Sequence, residues 1–220
     1  MEYISNNQEL NKAIIQFYNR EIDPYILGEI YFKYNQYSAA ATYYSLQLNN
    51  LLNCDSSLYI TKSYCFSKLA ECYYNQQIDH KFSDWQLSLI HDMCKEAISY
   101  NRNNIVAYLL LIKCFIFKNE IKNAYYILNN LVLNLEKMDE LSSEYAELFI
   151  EIILTYFDLC ENCYIIKYDN IYKSILKFIL KYSFFTYEHI LKINDRYNNH
   201  MNNISYYESD IMNGNINKYY

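Results

Sequence analysis

The sequence predicts an all-α protein: a right-handed α-solenoid of stacked helix pairs with extra helices towards the C-terminus. Three observations carry that prediction. Two Gly and one Pro in 220 residues leave little punctuation for the short strands and tight turns of an all-β fold. Apolar residues make up 52% of the chain, enough for one continuous core. A pattern of small and large residues, Leu27-Gly28 followed by Tyr31, Ala40 and Tyr44, also recurs along the first half.

Leu69-Ala70 followed by Tyr73 is the second copy of the pattern, and Leu111-Ile112 followed by Phe115 is the third. Ala124 falls nine residues after Phe115, as Ala40 does after Tyr31. Gly28 has no side chain, so a second helix can approach the first closely, and Ala40 is the small residue expected to accept that contact. Leu27, Tyr31 and Tyr44 are expected to fill the space around it. In the third copy Ile112 holds the small position, which predicts a wider separation of its helices. The spacing resembles the tetratricopeptide repeat, a helix–turn–helix unit of about 34 residues whose stacked copies form concave binding surfaces. Here the interval from Gly28 to Ala70, and again from Ala70 to Ile112, is 42 residues. Each period therefore carries roughly 8 residues of additional connection.

The elements follow in order. Asn11–Asn19 reads as an incoming helix. Asp23-Pro24 opens the next, since Asp caps a helix and Pro is tolerated in its first turn. The repeats are expected at about 24–52, 58–100 and 104–137, with helix pairs 24–36 with 38–52, 58–76 with 84–100, and 104–118 with 120–137. Asn49–Ser57 supplies polar turn formers. Gln76–Asp84 lengthens the turn inside the second repeat, whose second helix is marked by Ala97. Further helices are expected over 142–193: one starting at Ser142-Ser143 and running to about Cys160, another over Tyr168–Ile193. After Asn194 the apolar period is lost, and 194–220 reads as a polar, disordered tail.

Charge and cysteine usage mainly exclude functions. The net charge of −6 argues against a sequence-independent nucleic-acid binder. Seven scattered Cys and a polar Met1–Leu10 segment point to a reducing compartment, with the thiols buried as small hydrophobes. The longest apolar run, Ile105–Phe117, is broken by Lys113 and is too short to cross a bilayer. Cys160-x-x-Cys163 lacks a second pair, and His91-x-x-Cys94 with His80 lacks a fourth ligand, so no metal or cofactor is expected. Glu144, Glu147 and Glu151 share a helix face with no nearby His, Ser or Cys in sequence to complete a triad. The expectation is a protein that is not an enzyme.

The candidate partner-binding groove is assigned to the first helices of the repeats: Tyr25, Glu29 and Lys33 on one, Tyr64 and Lys68 on the next. The tyrosine pairs Tyr43-Tyr44, Tyr73-Tyr74 and Tyr125-Tyr126 are expected to be half core and half groove lining. Lys173, Lys177 and Lys181 form a basic stripe, read as the solvated outer face of a terminal helix. Chaperone adaptors of this repeat class grip an EEVD tail with a clamp of Lys, Asn and Arg. The equivalent positions here hold Tyr25, Glu29, Lys68, Val106 and Leu110. Glu29 would repel the peptide carboxylate, so a chaperone-tail adaptor is disfavoured.

Two passages carry a narrower resemblance. Leu69-Ala70-Glu71-Cys72-Tyr73-Tyr74, then a long connection, then Cys94–Asn104 and Ala107-Tyr108-Leu109-Leu110, is similar to the subunit 2 family of the endoplasmic reticulum membrane protein complex. Asp23–Tyr37 followed by Ser38-Ala39-Ala40 is similar to that family's preceding repeat. The similarity covers roughly Asn11–Lys118. Val106 stands where the family has a basic residue, and Leu109-Leu110 where it has Gly-Leu. The resemblance implies a non-catalytic cytosolic solenoid docked on a membrane-embedded insertase on the cytosolic face of the endoplasmic reticulum. Its partners would be other protein subunits, and it would meet the membrane only through them. A generic repeat adaptor in another assembly, such as the anaphase-promoting complex, is the alternative.

Overall fold

A computed structural model describes residues 8–51, 58–77, 81–135, 146–162 and 185–212. The protein is all-α: among the described residues every regular element is a helix and none is a strand. In chain order these are α1 (Gln8–Tyr18), α2 (Pro24–Lys33), α3 (Tyr37–Leu51), α4 (Tyr59–Asn75), α5 (Asp84–Tyr100), α6 (Ile105–Phe117), α7 (Ile121–Leu135), α8 (Ala146–Asn162) and α9 (Tyr187–Met212). The chain forms two compact units, Met1–Lys118 and Asn119–Tyr220, and the boundary falls between α6 and α7, the helices expected to make the third pair. No described helix is long and apolar enough to cross a membrane.

Local chemistry sets the helix ends. Asp23 Oδ1 accepts from the Ile26 N–H at 2.9 Å and Pro24 takes the first helical position of α2. That helix ends at Lys33, short of the expected residue 36, because Asn35 turns left-handed with φ 58°. The Gln36 N–H then bonds the Tyr31 carbonyl at 3.0 Å and the Asn35 N–H bonds that of Phe32 at 2.9 Å, which satisfies two terminal carbonyls. A reciprocal cap starts α5: Ser83 Oγ accepts from the Gln86 N–H at 3.3 Å, and the Ser83 N–H donates to Gln86 Oε1 at 2.9 Å.

In the first unit, each helix from α1 to α6 packs on its chain neighbour, and α4 also meets α6. One core cluster joins α3 and α4 through Ala40, Ala41, Tyr44, Leu69 and Cys72. A second joins α1 and α2 through Leu10, Ala13 and Leu27. The residues assigned to repeat packing lie inward: Leu27, Gly28, Ala40, Tyr44, Leu69, Ala70, Ala97, Leu111, Ile112 and Ala124 are buried, while Tyr31, Tyr73 and Phe115 are half-buried. The contact at Gly28 differs from the expected one. The three atoms nearest the position of a Cβ there all belong to the Tyr44 ring, so Tyr44 rather than Ala40 receives the close approach.

The second copy of the pattern contains a buried polar node. Ser63 Oγ donates to the Ala97 carbonyl at 2.6 Å, which joins α4 to α5. Asn104 Nδ2 donates to Ser63 Oγ at 2.9 Å and to Ser67 Oγ at 3.2 Å, while Asn104 Oδ1 caps α6 by accepting from the Ala107 N–H at 3.1 Å. Asn104 thus ties α6 to α4, and Ser63 carries the link on to α5.

In the second unit, α8 packs against α7 and α9. Phe149, Ile152, Ile153 and Phe157 are buried along one face of α8, with Phe149 edge-on to Phe185 at 6.4 Å. The polar stretch after Ile193 is helical through Met212, so the boundary expected at residue 193 falls too early. Arg196, bonded to Asp158 of α8, and Tyr197, 6.2 Å from Phe157, give this polar part of α9 tertiary contacts that its composition does not announce. Most of the helix expected over Tyr168–Ile193, and with it the stripe Lys173, Lys177 and Lys181, lies outside the described residues.

Candidate interaction face

Tyr25 and Glu29 sit one turn apart on α2, and Tyr64 and Lys68 one turn apart on α4. Between them α3 contributes Tyr44, whose hydroxyl donates to Glu29 Oε1 at 2.6 Å. Lys68 Nζ stands 3.7 Å from Glu29 Oε1, 3.3 Å from Glu71 Oε2, and 4.4 Å from the Phe32 ring centroid. The Tyr25 ring lies 5.6 Å from that of Tyr44. Burial, reinforced by the Glu29 carboxylate, pushes the Tyr25 hydroxyl well above the usual phenol range, and Tyr64 adds to the effect. The same two causes, burial first, raise that of Tyr44 further. Of the two phenols, Tyr44 is seen donating to the Glu29 carboxylate.

Two carboxylates facing one ammonium leave the cluster net negative. Glu71 Oε2 is buried and makes no hydrogen bond among the described residues; its interaction with Lys68 is an ion pair without hydrogen-bond geometry. Such a group is under-satisfied and favours an additional donor.

Four of the five groove residues, Tyr25, Glu29, Tyr64 and Lys68, are neighbours. Lys33 is not. It pairs with Glu9 of α1 at 2.7 Å, where the Tyr34 hydroxyl also donates at 2.9 Å. The reason is geometric: eight residues carry Lys33 about 80° past two full turns from Tyr25, off the stripe that faces α4 and towards Glu9 of α1. Sequence reasoning missed Glu71, Phe32 and the Tyr44 hydroxyl as members of the face. Glu71 was legible as the residue three beyond Lys68. The position of Tyr44 depended on helix packing.

Among the clamp-equivalent positions, Lys68, the one basic residue, is engaged by Glu29 and Glu71, and Leu110 is 5% exposed. Of the tyrosine pairs, Tyr44 is core, Tyr43 is half-buried and stacked on Tyr31 at 5.3 Å, and Tyr126 is 65% exposed.

His91 Nδ1 meets Asp92 at 3.1 Å and its ring lies edge-on to Phe115, while Cys94 is buried with its thiol pushed up by desolvation. Among the described residues no three His, Cys, Asp or Glu side chains converge as metal ligands do. His80, Cys163, Glu144 and the Cys160 side chain lie outside the described residues. Glu147 does acquire a histidine, from 42 positions further on: His189 Nε2 lies 2.9 Å from its Oε1. His189 Nδ1 accepts from the Thr186 N–H, so Nε2 carries the proton and donates to Glu147. This pair ties α9 to α8.

No protein-family model matches the chain, and no curated protein matches it.

Proposed function

We propose that the chain is a non-catalytic protein-binding scaffold, a right-handed α-solenoid of tetratricopeptide-like helix pairs. The observation that carries this reading is the face shared by α2 and α4, where Tyr25, Glu29, Lys68 and Glu71 collect on adjacent helices around the Tyr44 hydroxyl. The neighbour-to-neighbour packing from α1 to α6 supports the solenoid. Its groups engage one another in a standing network, as a docking surface needs, and no cofactor is required.

The resemblance of Leu69–Tyr74 and Cys94–Leu110 to the subunit 2 family suggests the assembly: the endoplasmic reticulum membrane protein complex, approached from the cytosol. The chain would hold protein subunits together, bind no nucleic acid, and reach the membrane only through its partners. Affinity purification of the tagged chain from detergent-solubilised membranes tests this. Near-equal recovery of multispanning insertase subunits is the expected outcome. A different stable assembly in their place would leave a generic repeat adaptor, and no stoichiometric partner at all would sink the scaffold reading.

A further inference from the structure

A second feature of the first unit lies away from the α2–α4 face. Where α3, α4 and α5 meet, a cleft of about 290 Å³ is lined by Ser45, Leu48, Asn49, Lys62, Phe66 and Tyr100. The Phe66 and Tyr100 rings stack nearly parallel, 5.8 Å apart and 8° from coplanar, and form one apolar wall. Lys62 reaches along that wall, its ammonium 5.9 Å from the Tyr100 centroid. It makes no ion pair among the described residues, and the side chains of Ser45 and Asn49 make no hydrogen bond there. The cleft thus combines an aromatic wall with two polar groups and one positive charge that have no hydrogen-bond or ion-pair partner among the described residues.

Size narrows the class of occupant. Small-molecule and cofactor sites run from roughly 300 to 1,000 Å³. This cleft falls at the bottom of that range, with room for one large side chain and its flanking backbone. Charge narrows it further, because Lys62 is the sole charged residue among the described lining residues and attracts a carboxylate while repelling a basic segment. We propose that the cleft takes a partner peptide that places one aromatic or branched aliphatic side chain against Phe66 and Tyr100 and an adjacent carboxylate on Lys62. Ser45 and Asn49 then bond the peptide backbone beside the anchor. Taking a peptide as the occupant rests on the scaffold reading; the site itself does not involve the α2–α4 face.

The test is a selection from a random phage-displayed peptide library on the intact chain. Fluorescence anisotropy then follows the selected peptides against wild type and Lys62→Glu, a change at a half-buried residue whose fold is checked by circular dichroism. The expected peptides carry Asp or Glu next to a large apolar residue. They bind Lys62→Glu at least tenfold more weakly, and changing their acidic residue to Lys restores binding to that variant. Selected peptides without an acidic residue, or with unchanged affinity for Lys62→Glu, overturn the cleft while leaving the scaffold reading intact. Failure to select any peptide also overturns it. The scaffold reading fails separately, when the purified chain brings no stoichiometric partner.

Discussion

The ring of Tyr44 occupies the space that a side chain on residue 28 would need. A Cβ built on Gly28 would lie 2.8 Å from Tyr44 Cε1 and 2.9 Å from Cδ1, closer than packed carbon atoms come. The ring cannot retreat freely, because it is fully buried, rests beside Tyr25, and holds Glu29 through its hydroxyl at 2.6 Å. Two successive residues of α2 therefore meet the same tyrosine, Gly28 at the ring and Glu29 at the hydroxyl. Core packing and the polar face are coupled through it.

Gly28→Ala should destabilise the first unit despite the better helix propensity of Ala. The propensity gain of about 0.5–1 kcal/mol is outweighed by an overpacking cost of about 1–3 kcal/mol. Urea unfolding should show a net loss, and adding Tyr44→Leu to Gly28→Ala should cost less than the two changes separately. Strict additivity would show that the two residues do not meet.

Asn104→Ala should be among the more damaging polar substitutions. It removes the α6 cap, worth about 0.5–2 kcal/mol, and leaves the buried hydroxyls of Ser63 and Ser67 with one partner fewer. Asn104→Asp keeps an acceptor for the Ala107 N–H yet loses the amide donors, and brings a charge to a residue that is 2% exposed. Thermal unfolding should show both variants destabilised, in contrast to a surface Asn→Asp change.

Alkali should weaken the first unit. Burial pushes the thiols of Cys65, Cys72 and Cys114 from 9.0 up to about 12. The unfolded chain therefore releases these protons first, and the stability that is complete below about pH 9 falls as pH rises towards 12. The expected slope is about 1.4 kcal/mol per pH unit for each thiol. Urea midpoints at pH 8 and pH 10.5 measure the loss. Replacing the three Cys by Ala should flatten the dependence, whatever it does to stability at neutral pH.

In the second unit, His189→Ala should loosen the start of α9. The ring accepts from the Thr186 N–H at 3.1 Å and donates to Glu147. Gln at the same position offers an acceptor for that N–H, as it does in a capping box. Faster amide exchange over 187–192 is expected for the Ala variant, with Gln retaining more protection; the Ala change should cost about 1 kcal/mol. Equal exchange in the two variants would contradict the cap.

Several helix starts were legible because they are written within one turn. Asp23-Pro24 opens α2 as expected, and 84–100 matches α5 at both ends. Helix ends were harder: α2 stops early because Asn35 adopts a left-handed conformation, which the sequence permits without requiring. The extension of α9 past Ile193 was not legible either, since the residues that hold its polar part are Asp158 and Phe157, far away in the chain. Within the candidate face, residue type and helical spacing suggested Tyr25, Glu29, Tyr64 and Lys68, and they misplaced Lys33.

By itself the sequence determined the all-α class, several helix starts, and many of the small and apolar residues that turn inward. These depend on interactions a turn apart and on the 3.6-residue period of burial. Tertiary structure alone decided that Tyr44 faces Gly28, that Asn104 joins Ser63 and Ser67, that Lys33 turns to Glu9, and that His189 reaches Glu147. Partners separated by 15 to 42 positions meet or miss according to the rotation and axial offset of whole helices. A shift of one residue turns a side chain by about 100° around its helix. The spacing of a repeat leaves that shift open, and close packing of the core removes the freedom.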